Sequence, residues 1–181
     1  MKTLPLRHCR VLGVSPSTRG FGFAVLEGEG TLADWGATEV KGDKNPGSLA
    51  KIERLMMHYE PDVLVLPDVR AKNCRRAPRI KTLCRHIADL AQKRELRMVT
   101  LSTEQVRHRC LGTKQGTKHG LALDLADRFP SELGSSLPPK RRPWTSEDRR
   151  MDIFDAVGLA LAFRLKGQTR RQSPGLRSQN E

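Results

Sequence analysis

Residues 11–28 read VLGVSPSTRGFGFAVLEG. Two runs of apolar, β-forming residues, 10–14 and 21–27, flank the turn Ser-Pro-Ser-Thr-Arg-Gly, and Gly20 and Gly22 bracket that turn. The next stretch, TLADWGATEV at 31–40, reads as a third strand, so the chain opens as an antiparallel meander. A glycine-rich strand–turn–strand can bring backbone N–H groups close to a phosphate, with Thr18 and Arg19 beside them. An ordinary hairpin has the same composition, so the turn alone does not decide between the two.

Asn45-Pro46 predicts a helix start, with Asn45 as N-cap, and Leu49, Ile52, Leu55, Met56 and Tyr59 come after it at helical spacing. Pro61 ends that helix. DVLVL, 62–66, is a short unbroken apolar run, as in a strand covered on both faces. A basic loop leads to a helix over 78–95, then to the strand RMVTL, 97–101. Ser102 and Gln105 have the spacing of a capping box. A helix is predicted over 118–129, a loop over 130–147 and a last helix over 149–165. The order βββ-α-β-α-β-α-α describes an α/β domain, a mixed five-stranded sheet with helices on both faces, spanning residues 1–166. The polar, basic segment 167–181 has no pattern and reads as a disordered tail.

The 181 residues suit one domain with an aliphatic core, since aromatics make up only 4%. The net charge is +13, which a small neutral substrate does not call for and a polyanion such as nucleic acid does. No C-x-x-C pair occurs among Cys9, Cys74, Cys84 and Cys110, and no secretory signal is recognisable, so free thiols in the cytoplasm are expected. Cys84, His86, His108 and Cys110 do not have the spacing of a standard zinc site. The longest apolar stretch, 156–163, is too short for a membrane span.

Two constellations carry chemistry. MDIFDAVGLALAF, 151–163, is apolar on nearly every side and therefore buried, yet it holds Asp152 and Asp155. Three residues apart on a helix, their β-carbons lie about 5–6 Å from one another. Such carboxylates repel unless something compensates: a hard cation such as Mg²⁺, or the helix N-terminal dipole. The second constellation is RAKNCRRAPRIKTLCR, 70–85, which carries Arg70, Lys72, Arg75, Arg76, Arg79, Lys81 and Arg85 and no acid. It lies just after a central strand, where open α/β sheets place their ligands, and it suits phosphate contacts. Lys114, Lys118 and the run Lys140, Arg141, Arg142 add to it. Few aromatics interleave, so recognition through backbone or shape is expected rather than base stacking.

Together these segments resemble the RuvC-type Holliday-junction resolvases of the RNase H-like superfamily, over residues 10–165. The opening hairpin resembles that family's G-I-D-P-G-x-x-x-x-G turn, VLVLPDV its central strand, RAKN a stretch beyond it, and GTKHGLALDLADRF its penultimate helix, which opens with a basic residue. MDIFDAVGLALA matches the family's D-x-x-D-A-x-x-x-A helix. The resemblance implies two Mg²⁺ held by four acids, activating water and stabilising the leaving oxygen. Asp152 and Asp155 supply two of the four. Ser15 stands where the first-strand aspartate belongs. The central-strand glutamate aligns with Pro67, or with Leu66 if AKN sets the register. Asp68 is adjacent, but neighbours on a strand face opposite ways unless the proline bends its end.

The expected protein binds branched DNA through Arg19, Arg70, Lys72, Arg75, Arg76, Arg79, Lys114 and Lys118. Its cleavage is weak or lost, and at most one weakly held Mg²⁺ sits at Asp152 and Asp155. One alternative is an active Mg²⁺-dependent endonuclease with Asp68, Asp152 and Asp155 as its acids. Another is a basic scaffold for RNA or a protein partner. A homodimer is implied by the resemblance alone.

Overall fold

The computed structural model describes residues 9–169. Strands β1 (Val11–Pro16), β2 (Gly20–Glu27) and β3 (Thr31–Glu39) form the expected antiparallel meander. β4 (Val63–Pro67) pairs parallel with β1, and β5 (Arg97–Leu101) pairs parallel with β4, giving the order β3-β2-β1-β4-β5. β1 runs two residues past its expected end, because Ser15 and Pro16 still pair with Gly22 and Phe21.

The helices are α1 (Lys44–Tyr59), α2 (Pro78–Lys93), α3 (Thr103–Leu111), α4 (Lys118–Arg128), the one-turn α5 (Pro130–Leu133) and α6 (Met151–Thr169). α1 starts before Asn45, with Asp43 at its cap position and no side-chain cap bond. Asn45 is not the N-cap; its amide exchanges hydrogen bonds with Arg79 instead. The capping box at α3 is complete, with Gln105 N–H donating to the Ser102 hydroxyl and Ser102 N–H to the Gln105 side chain. α5 lies inside the stretch expected to be a loop; four residues behind Pro130 carry no period to read. α6 continues to Thr169, and the rest of the expected tail, 170–181, lies outside the described residues.

Period-2 alternation in the sheet divides the interior into two cores. Leu12, Val14, Phe21, Val25, Leu64 and Leu66 face α1 and α2, where Ile52, Met56, Leu83 and Ile87 cover them. Val11, Ala24, Leu26, Val63 and Val65 face α3, α4 and α6. α6 lies so close to the sheet that a β-carbon on Gly13 would stand 2.3 Å from the Ala156 carbonyl oxygen, and one on Gly22 would stand 1.9 Å from that of Asp152. Those two glycines therefore set the first two turns of α6 directly on β1 and β2. Buried Arg164 ties α6 to the far end of the sheet by donating to the Cys9, Leu26 and Gly28 carbonyls. Among the described residues no helix is long and apolar enough to cross a membrane.

Candidate nucleic-acid interface

The β1–β4 pairing runs to Gly13 and Val65, and two further residues of parallel register set Ser15 beside Pro67. The alternation of buried faces agrees. Val65 packs toward α6 and Leu66 toward α1 and α2, so Pro67 faces the α6 side, as does Ser15. Leu66, 1% exposed, belongs to the opposite core, which removes it as the counterpart of an acidic residue at this site. Leu66→Glu is therefore expected to bury an unpaired carboxylate in an apolar core and prevent folding, while Pro67, also buried, lies on the side that holds Ser15, Arg76 and Lys118, so Pro67→Glu is expected to fold. Circular dichroism melts of the two variants check this; a cooperative, near-native melt for Leu66→Glu would contradict the register.

Ser15 is 1% exposed and paired with Gly22, and the first turn of α6 brings Asp152 onto Gly22. Asp155 lies one turn on along the same helix face. Burial pushes the Asp152 carboxyl up to about 6, with the nearby Ser17 hydroxyl opposing the rise and the charge of Asp155 adding to it. Burial also raises Asp155, and Lys118 counters it. The Lys118 ammonium, on the first residue of α4, lies 2.8 Å from Asp155 and 2.9 Å from Glu147. Burial works against that ammonium, yet the two carboxylates hold its pKa above the ordinary lysine value.

The basic segment reaches the same place from the far side. Arg76 crosses to the hairpin and donates to the Pro16 carbonyl at 2.5 Å and to the Ser15 hydroxyl at 3.4 Å. Its charge is felt at Asp155. Arg79 donates to the Ser17 and Thr18 carbonyls, each at 3.0 Å, and to Asn45. Arg76 and Arg79 are held in place by neutral carbonyls and a hydroxyl and keep their charge, whereas Lys118 is paired with two carboxylates. Arg19, Arg70, Lys72, Arg75 and Lys114 are exposed.

Asp68 does not join the other two acids. Its N–H continues the ladder to the Leu101 carbonyl, and its carboxylate turns back to accept from Arg70 N–H at 2.9 Å. Among the described residues no three His, Cys, Asp or Glu side chains converge to hold a metal. The two-metal arrangement that the sequence resemblance implies does not fit these residues. Ser15 and Pro67 contribute no charge, and a guanidinium stands on the Ser15 hydroxyl. At Asp152 and Asp155 a cation would compete with the Lys118 ammonium for one of the two carboxylates. Glu147, Ser17 and the placement of Arg76 carried no signal in the sequence. Each acts across a loop whose path no hydrophobic period records.

The sheet order, the α6 helix packed along one face of the sheet and the site at its first turn together decide the architecture. The fold is that of RuvC. The Thermus thermophilus RuvC structure superposes with a TM-score of 0.65 at 16% identity, covering 89% of this chain and 96% of that one. T. thermophilus RuvC in complex with Holliday junction substrate gives 0.67 at 16% identity, over 90% and 97%. The yeast mitochondrial Holliday junction resolvase Ydc2 gives 0.62 at 15% identity, over 94% and 84%. No family model matches the chain, and no curated protein matches it in sequence. At such identities the RuvC likeness establishes the RNase H-like fold, and the chemistry rests on the residues described above.

Proposed function

We propose that this chain binds branched DNA, in the form of a four-way junction, at the mouth between Ser15 and Asp155, and leaves it uncut. The observation that carries the reading is the Arg76 guanidinium, seated on the Pro16 carbonyl and the Ser15 hydroxyl. In a two-metal nuclease this end of the strand must gather negative charge to hold cations that activate water. Here the chain supplies a fixed cation of its own. A phosphate drawn to this mouth meets positive charge without any ion being recruited. The net charge of +13 and the exposed Arg19, Arg70, Lys72, Arg75 and Lys114 support a polyanionic ligand. The similarity to a RuvC solved with junction DNA supports a branched one. A homodimer would offer two such mouths to a two-fold junction, and sedimentation of the complex tests it. The four free cysteines accord with a reducing cytoplasm.

Five phosphate contacts correspond to a slope of log affinity against log salt of about −4.5. Lys72→Glu with Arg75→Glu should flatten that slope by about 2 and weaken junction binding at least about tenfold. Both side chains are exposed, so folding is spared. Reversing Arg79 would not be a clean test, because Arg79 holds the hairpin turn. A gel-shift titration over a salt series is the check, and an unchanged slope would remove this segment from the interface.

A further inference from the structure

The segment PPKRRPWTSEDRR, 138–150, holds a second feature of the mouth. Trp144 is 77% exposed, more than any other large hydrophobic side chain among the described residues. It does not dangle. Thr145 closes a turn on Arg142 through both its N–H and its hydroxyl, at 3.1 and 3.0 Å, and the Arg141 guanidinium donates to the Thr145 carbonyl at 2.8 Å. Pro143 occupies the corner position that proline pre-sets in such turns. The turn therefore holds an indole out into solvent beside exposed Lys140, Arg141 and Arg142.

The same turn is anchored to the site. Ser146 accepts from Arg19 at 3.5 Å, and Glu147 accepts from Lys118, which also pairs with Asp155. The nearby acids are occupied: Glu147 by Lys118 and Asp148 by Arg150. The exposed charged residues next to Trp144 in the chain, Lys140, Arg141 and Arg142, are basic. An exposed aromatic face on a turn that also carries Lys140, Arg141 and Arg142 fits a nucleobase lying over a phosphate backbone, since every base offers a π-face and stacking needs no sequence match.

We propose that Trp144 stacks on an unstacked nucleobase at the branch point of the bound DNA. This goes beyond the expectation of backbone recognition alone, and it rests on the reading of the chain as a branched-DNA binder. Continuous duplex offers no unstacked base, so the ring contributes to the preference for branched over linear DNA.

The test uses the full chain, Trp144→Ala and Trp144→Phe, against a four-way junction and a duplex of the same sequence, with 2-aminopurine placed at the branch. Trp144→Ala should weaken junction binding about tenfold, within the range of one stacking contact, and leave duplex binding unchanged. Trp144→Phe should restore most of the loss. The unmodified chain should change the 2-aminopurine fluorescence and Trp144→Ala should not. Equal junction affinity for Trp144→Ala and the unmodified chain overturns the proposal. So does an equal loss on duplex, or sedimentation showing that Trp144→Ala dissociates a DNA-free dimer. If the unmodified chain itself shows no preference for the junction, the proposed function fails; a preference that survives Trp144→Ala sinks only the stacking contact.

Discussion

Ser15→Asp with Pro67→Glu, although it restores four acids to the site, is expected to produce no Mg²⁺-dependent nicking of a four-way junction. Adding Arg76→Ala is expected to produce it. The register sets both new carboxylates on the α6 side of adjacent strand ends, next to Asp152 and Asp155. In the double variant, however, the Arg76 guanidinium already lies 3.4 Å from the position of the Ser15 hydroxyl, and an aspartate there pairs with it bidentately before any metal can. Removing Arg76 frees that acid. Lys118 is kept in every variant, paired with Asp155 and Glu147, so that only Arg76 differs. Single changes should do nothing, because groups that act as a unit are strongly non-additive. The triple variant should cut at least roughly 10²-fold faster than the double, the scale of one preorganised catalytic group. A nicking assay on labelled junction, with junction binding as the control for folding, reads this out. A double variant that cuts as fast as the triple would show that Arg76 is no obstacle.

Asp152→Asn is expected to stabilise the protein at neutral pH and to raise its affinity for DNA. Burial lifts the Asp152 carboxyl from 3.8 to about 6 in the folded chain. Between those values the native state holds a proton that the unfolded state has lost, so stability falls as pH rises through that window. Two units correspond to about 3 kcal/mol, and partial solvent contact reduces this to roughly 1–2 kcal/mol. Asp155, Lys118, Glu147 and Ser17 share the environment and are unchanged in the variant. Urea melts of both proteins at pH 3.5, 5 and 7.5 should therefore converge at the lowest pH and separate as pH rises toward 6, with Asp152→Asn the more stable. Removing a negative charge from the mouth should also tighten junction binding severalfold. If Asp152 held a needed cation, the variant would bind less tightly instead, and parallel melting profiles would contradict the buried carboxyl.

The scaffold was legible in the sequence because each element repeats a local signal. β4 is an unbroken apolar run, α2 carries Ile80, Leu83, Ile87 and Ala91 on one face, and the Ser102–Gln105 box marks the start of α3 to the residue. α6 was legible through its all-round apolarity and its two acids. Two choices needed the third dimension. Whether Leu66 or Pro67 stands beside Ser15 is a one-residue register question, and a slip of one reverses every side chain. The fates of Arg76 and Arg79 were not legible either. Seven cations crowd residues 70–85, and sequence cannot tell those that fold back onto carbonyls about 60 residues away from those that meet solvent. The missing aromatic signal had a similar cause: Trp144 stands alone in sequence, and its significance lies in its exposure and in the Glu147–Lys118 tie beside it.

The most direct test of a junction binder that carries its own cation is one titration of the unmodified chain into a labelled four-way junction, run in parallel in Mg²⁺ and in EDTA at matched ionic strength. Each mixture is then split between a native and a denaturing gel. The account predicts the same affinity within about twofold in both, at least about tenfold tighter than for linear duplex, with every strand intact. Nicked strands in Mg²⁺ alone, or binding that collapses in EDTA, would contradict it.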